Sequence, residues 1–146
     1  MKNERGFSLI ELLIVVAIIG IIAAIAIQNF ASSRIAANEA AAIGNLRTLC
    51  TAQITYAPTM GNGSYGSGWA SLVDANLIDD AWSSGVRSGY TYTAPDGGGN
   101  TFTFTASPET ADVTGRRTFF VDQTGVIRLN DASGAVVGSS SGGGGS

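Results

Sequence analysis

The chain has 146 residues, 45% of them hydrophobic and 13% charged, with a net charge near −3, no histidine and one cysteine. This size predicts one domain plus an anchor. Without histidine, the common catalytic triads and most zinc sites are excluded, and the few basic residues leave no footprint for nucleic acid.

The first predicted element is an apolar helix that runs from Phe7 to Ile27 and contains one acid, Glu11. Exposing its fourteen large apolar side chains to water would cost tens of kcal/mol, more than the net stability of a small domain. As a helix this stretch measures roughly 30 Å, the thickness of the hydrocarbon core of a bilayer. We therefore predict a helix that inserts into a membrane.

Two basic residues, Lys2 and Arg5, precede this helix. A secretory signal peptide is cleaved after its hydrophobic region, whereas the plausible processing point here is Gly6, ahead of Phe7. Cutting there removes a charged leader, residues 1–6, and keeps the helix on the mature protein. The basic leader also predicts a cytoplasmic amino terminus by the positive-inside tendency.

Glu11 needs a partner if it lies in lipid, because an ionised side chain near the centre of a membrane helix costs about 2.5 to 3.5 kcal/mol. Cleavage after Gly6 would create an α-amino group on Phe7, four residues before Glu11. Ammonium and carboxylate could then pair within one chain or between neighbouring chains. The alternative is a carboxylate that reaches headgroups and water from the helix end.

The run from Gly6 to Leu12, GFSLIEL, resembles the amino terminus of type IV pilins and pseudopilins. The resemblance is close over the first quarter of the chain. It implies that a prepilin peptidase cuts after Gly6 and methylates Phe7, and that Glu11 pairs with a neighbour's amino terminus during assembly. It further implies a homopolymeric helical filament, built by a pilus assembly machinery from an inner-membrane precursor and displayed on the cell surface.

Two features depart from that family. Many members have a helix-kinking proline where this chain has Gln28, which is a good helix former. Gly20 therefore remains the weakest point of the helix, and we expect any unwinding on assembly to centre there. The lone Cys50 cannot form the intrachain disulfide that closes the carboxy-terminal loop of many members, so something else must hold the end of the domain.

The helix is predicted to continue as an amphipathic segment, residues 28–57, and to stop at Pro58. Its apolar positions form one face: Ile35, Ile43, Leu46, Leu49, Cys50, Ile54 and Ala57. Its polar positions form the expected solvated side, with contacts between subunits as the alternative: Arg34, Asn38, Glu39, Asn45, Arg47 and Gln53.

A glycine-rich loop, residues 58–68, comes next, and residues 69–82 favour a short helix or turn-rich segment packed on the long helix. Three acids in this segment, Asp74, Asp79 and Asp80, lack the alternating spacing of a calcium loop. We interpret them as solvated carboxylates, and we predict no metal site and no cofactor.

Strand patterns follow over residues 89–94, 101–106, 117–122 and 126–130, which predicts an antiparallel meander of about four strands. Gly125 is expected to adopt a positive φ in a tight turn. The aromatic pairs Tyr90 with Tyr92 and Phe102 with Phe104 each share a strand face and are expected to cover the helix. The fold class is α+β, a long helix over about residues 7–57 packed against this small sheet, the layout of a pilin.

The sequence contains no convincing catalytic constellation, so we predict that the chain is not an enzyme. Cys50 lies on the apolar helical face and is interpreted as a core residue. The domains are a leader (1–6), a membrane and assembly helix (7–27), its amphipathic continuation (28–57), a globular domain (58–137) and a flexible Gly/Ser tail (138–146). The predicted function is the major subunit of a type IV pilus. The alternatives are the major pseudopilin of a type II secretion system and a membrane-tethered adhesive module.

Overall fold

A computed structural model of the protein describes residues 6–137; residues 1–5 of the predicted leader and the whole predicted tail lie outside them. The elements are α1 (Leu9–Thr59), α2 (Gly68–Asp74), a 3₁₀ helix (Asp80–Ser84), β1 (Val86–Arg87), β2 (Tyr90–Tyr92), β3 (Thr103–Pro108), β4 (Phe119–Asp122) and β5 (Ile127–Leu129). The chain divides into two compact units, one up to Arg34 and one from Ile35 onward. The α+β prediction is confirmed.

Helix α1 begins two residues later and ends two residues later than predicted. It includes Pro58 in its last turn, because a proline removes only its own hydrogen bond when the helix is about to stop. Two loop N–H groups, those of Met60 and Gly61, then donate to the Tyr56 carbonyl at 2.9 Å each. These bonds occupy the exposed carbonyl end of the helix and terminate it.

The five strands form one sheet in sequence order, and every neighbouring pair is antiparallel. The predicted meander is therefore confirmed, with one strand more than the four expected. The additional strand, β1, has only two residues and follows Gly85 at a φ of 69°, so it is too short to show alternation. Gly125 has a φ of 74° and its N–H donates to the Asp122 carbonyl at 2.9 Å, as the turn prediction requires.

The core of the second unit lies between α1 and the sheet. Tyr90, Tyr92, Phe102 and Phe104 are all buried in it, which confirms their predicted role. The helix contributes small and aliphatic side chains to the same cluster, and the segment after it contributes Leu72, Ile78 and Trp82. The core residues from α1 are Ala42, Leu46, Leu49, Cys50 and Ala52.

The predicted solvated side of α1 was wrong at Gln53, which is completely buried. Its side-chain amide donates to the carbonyl of Gly66 and accepts the N–H of the same residue, both at 2.8 Å. This pairing replaces the water that the amide would lose on burial and fastens the loop after α1 to the helix. Its neighbour Ile54, predicted on the apolar face, is 52% exposed.

Glu39 was also predicted to be solvated, but it is 8% exposed and holds the segment before β4. Its Oε1 accepts the backbone N–H groups of Arg116 and Arg117 at 3.0 and 3.1 Å. Its Oε2 lies 2.9 Å from both Nε and a terminal nitrogen of the Arg117 guanidinium. Four donors therefore compensate the burial of one carboxylate.

These donors set the ionisation of Glu39. Burial alone would raise the pKa of this carboxyl, but the Arg116 N–H and the side chain and N–H of Arg117 outweigh it and hold the pKa below its usual 4.5. A carboxyl with a lowered folded-state pKa stabilises the fold above its unfolded pKa. That contribution is lost as the pH falls through 4.5 toward the lower folded value.

Replacing Glu39 with glutamine is expected to lower the free energy of unfolding by about 2 kcal/mol at pH 7, because charged hydrogen bonds become neutral ones. The difference from the wild type should shrink as the pH falls below 4.5, since the carboxyl of the unfolded wild-type chain then protonates before that of the folded chain. Urea unfolding of the full chain in detergent, followed by tryptophan fluorescence, measures it. Glu109→Gln, at an exposed carboxylate, is the control. A Glu39→Gln difference that stays constant down to pH 3 would contradict this account.

The last described residues, up to Val137, are held by backbone pairing with β5. The Leu129 N–H donates to the Ala135 carbonyl at 3.0 Å, and the Val137 N–H donates to the Ile127 carbonyl at 2.8 Å. A bridge between Arg128 and Val136 lies between these two bonds, and Val137 packs against the core. The last described residues thus take the position of a further antiparallel strand.

Candidate functional site

The amino-terminal end of α1 brings Gly6, Phe7 and Glu11 into one short segment. Ser8 is the residue before the helix, and its Oγ accepts the backbone N–H of Glu11 at 3.2 Å. The first helical hydrogen bond runs from the Leu12 N–H to the Ser8 carbonyl at 3.2 Å. Ser8 therefore caps the helix, and Glu11 lies three positions into its first turn.

The Ser8 cap was not predicted from the sequence, although the sequence contains the residue spacing that indicates it. Ser8 and Glu11 have the S-x-x-E spacing of a capping box, which marks the start of a helix before an apolar run. Glu11 is exposed and makes no ion pair with any residue between 6 and 137. At this position its carboxylate is favoured by the positive end of the helix dipole.

The side chains on either side of Glu11 form an apolar surface around the full circumference of the first part of α1, as far as Phe30. Its hydrophobic window has a mean hydropathy of 3.1 and none of it is buried. By length and composition alone, α1 is apolar and long enough to cross a membrane. The exposed large side chains include Phe7, Leu9, Ile10, Leu12, Leu13, Ile14, Val15, Val16, Ile18, Ile19, Ile21, Ile22, Ile25, Ile27 and Phe30. Burying them against lipid or other apolar helices would be strongly favourable.

Gly20 and Gln28 both lie inside the continuous helix, apart from the segment around Glu11. A side chain at Gly20 would meet no atom within 4 Å, so no close packing within the first unit explains a glycine there. Glycine in a helix interior costs about 1 kcal/mol relative to alanine. The position is thus a weak point of a helix that is otherwise regular.

Two other groups singled out in the sequence have structural roles. Cys50 is buried, and burial followed by the nearby Asp122 charge raises the pKa of its thiol, which makes it a poor nucleophile. Asp79 pairs with Arg87, whose guanidinium nitrogen lies 2.6 and 2.8 Å from its two oxygens. Over the described residues, no group of three or more His, Cys, Asp or Glu side chains could hold a metal ion.

Known proteins match parts of this chain. A family model described as the prokaryotic N-terminal methylation motif matches residues 1–27. The type IV major pilin protein PilA of Myxococcus xanthus is 54% identical over 54 residues, which are 37% of this chain and 24% of that protein. The type IV wide pilus major component PilA4 of Thermus thermophilus is 42% identical over 77 residues, 53% of this chain and 57% of that protein.

A third relative, a fimbrial protein of Pseudomonas aeruginosa, is 48% identical over 52 residues, 36% of this chain and 34% of that protein. The matched part of this chain therefore spans about a quarter to somewhat over half the length of these relatives.

Proposed function

We propose that this chain is the major structural subunit of a type IV pilus filament. The amino-terminal motif and the named relatives support the type IV pilin family. The observation that carries the proposal is the exposed apolar window of α1, whose capped start bears a single carboxylate. Relatives of this kind imply a structural, non-enzymatic role.

Polymerisation would transfer this apolar helix from lipid to a bundle of identical helices. Both environments remove the side chains from water, so the hydrophobic effect alone does not choose between them. Helix packing and the pairing of Glu11 would supply the preference for the bundle. Contacts of this head-to-tail kind do not close, and they extend a fibre without a fixed length.

In the proposed sequence of events, a prepilin peptidase cuts after Gly6 and the new amino terminus of Phe7 is methylated. Methylation keeps an amine positively charged, so it can still pair with a carboxylate. Since α1 begins at Leu9, helical geometry does not fix Phe7 above Glu11 in the same chain. This favours pairing between the Phe7 amine of one subunit and the Glu11 carboxylate of its neighbour.

Before assembly, the precursor would span the inner membrane once through residues 7–27, with its leader in the cytoplasm. Lys2 and Arg5 precede the helix and the next basic residue is Arg34, which fits this orientation. Residues 28–137 would then lie outside the cytoplasm and coat the finished filament at the cell surface.

Electron microscopy of sheared surface material, combined with mass spectrometry of its protein, tests the proposal. We expect filaments that contain this chain with Phe7 as its first residue. Loss of protein secretion without loss of surface filaments on deletion of the gene would instead indicate a pseudopilin. Intact protein that stays in the membrane as monomers would indicate a tethered adhesive module.

The filament itself tests the role of Gly20. We expect any unwound stretch of α1 to centre near Gly20 and to leave Gln28 helical, because glycine costs about 1 kcal/mol relative to alanine in a helix interior whereas glutamine is a good helix former. Gly20→Ala should shorten or abolish that stretch in a filament map, whereas Gly44→Ala, at another open helical glycine, should not change it. A wild-type map with extended backbone through Gln28 would refute the expectation.

A further inference from the structure

A modification motif lies in the loop after α1. Asn62, Gly63 and Ser64 have the N-x-S spacing that N-linked glycosylation requires. No other asparagine of the sequence has serine or threonine two positions later. Because a three-residue motif also occurs by chance, its structural context decides whether it can be a glycosylation site.

The structure presents Asn62 at the tip of a tight turn. The Ser64 N–H donates to the Gly61 carbonyl at 2.9 Å, and the two central residues, Asn62 and Gly63, have φ values of 49° and 93°. Two positive φ angles define a type I′ turn, for which Asn-Gly is the favoured pair. Such a turn directs the first central side chain away from the chain on either side of it.

Asn62 is exposed, and its side-chain amide makes no hydrogen bond to any other described residue. The hydroxyl of Ser64 is similarly without a partner in the described part of the chain. Both groups of the motif that a transferase would read are therefore available. Attaching a sugar to the amide would break no contact of the fold.

The turn itself is held firmly. The Gly63 N–H donates to the Ala57 carbonyl at 2.7 Å, and the Tyr65 N–H donates to the Gly99 carbonyl at 2.9 Å. One residue further, the buried side chain of Gln53 pairs with the backbone of Gly66. A modified Asn62 would thus project from a fixed point of the surface.

We propose that Asn62 is an N-glycosylation site and that its acceptor atom is Nδ2. A bond forms between Nδ2 and the anomeric carbon of an oligosaccharide carried on a lipid pyrophosphate. The bond from that carbon to the pyrophosphate oxygen breaks, the lipid pyrophosphate leaves with the bonding electrons, and the amide releases one proton. This inference rests on the proposed export of residues 28–137, because the donor and acceptor must meet outside the cytoplasm.

Intact-mass and peptide analysis of the chain from its native cells tests the site. Sheared filaments and membrane extract are measured separately, so the result does not depend on whether filaments form. We expect a sugar mass on the peptide that contains Asn62 in the wild type. We expect its complete loss in Asn62→Gln and Ser64→Ala, and its retention in Ser64→Thr, which keeps the hydroxyl.

Asn100→Gln is the matched control, since Asn100 is an exposed loop asparagine outside any N-x-S/T motif, and it should keep the full sugar mass. An unmodified Asn62 in chains that have reached the outside of the cytoplasm would overturn the proposal. A sugar mass that persists in Asn62→Gln and disappears in Ser64→Ala would also overturn it, because the hydroxyl would then be the acceptor.

Discussion

A chain in which Gly6 is replaced by valine is expected to accumulate with its leader uncut and to form no filaments. A side chain at position 6 would meet no atom within 4 Å among the described residues, so we expect the substitution to leave the fold intact. Its effect must arise where a peptidase closes around the cleavage point. A loss of only about 1.4 kcal/mol of transition-state binding there would slow cutting about tenfold.

Mass spectrometry of the membrane-bound chain measures this directly, because the uncut form keeps residues 1–6. The cut form is also one charge more negative, since Lys2, Glu4 and Arg5 leave together. Gly44→Ala is the matched control, at a glycine with equally open space, and its leader should be removed at the normal rate. Normal removal of the leader from Gly6→Val would disprove the cleavage role of Gly6.

Replacing Glu11 with alanine is expected to reduce filament recovery about a hundredfold while leaving the subunit folded and processed. The neighbour's amino-terminal ammonium would enter the apolar bundle without a partner, at a cost of about 3 kcal/mol for each contact. Glu11→Gln should have an intermediate effect, because an amide accepts a hydrogen bond from the ammonium without carrying the opposite charge. Recovery of sheared filaments at equal subunit level is the measurement.

The capped helix start provides the control that separates assembly from helix stability. Ser8→Ala removes the hydrogen bond to the Glu11 N–H, which costs about 1 kcal/mol, but it leaves the carboxylate in place. If Ser8→Ala lowered filament recovery as much as Glu11→Ala, the acid would act through the helix start and the pairing role would be wrong. Glu109→Ala should assemble within about twofold of the wild type.

Local patterns in the sequence predicted much of this fold. Apolar spacing and Pro58 placed α1 to within two residues at each end, and alternation placed four of the five strands. The turn at Gly125 followed from its own residue type. These features depend on neighbours along the chain, which is why a pattern of a few residues is sufficient to predict them.

The polar side of α1 could not be predicted in the same way. Glu39 is buried because Arg116 and Arg117, 77 and 78 positions away, supply its donors. Gln53 is buried because a glycine backbone 13 positions away pairs with its amide. The helical pattern predicts that both side chains are solvated, because it contains no information about hydrogen-bond partners that are distant in the sequence and close only in the folded chain. The proposed assembly roles of Phe7 and Glu11 would depend on contacts with a second subunit.

Residues 135–137 pair with β5 through hydrogen bonds, not through a covalent bridge. This difference affects how the segment responds to a pulling force. A covalent bridge at this place would resist pulling until the bond broke, and its integrity would depend on the oxidising power of the surroundings. Here the Ala135 and Ile127 carbonyls can release their N–H partners one after another and take them back when tension ceases. Under load, this segment should therefore detach from β5 and pair with it again when the load is removed. Its behaviour should be the same in reducing and oxidising media.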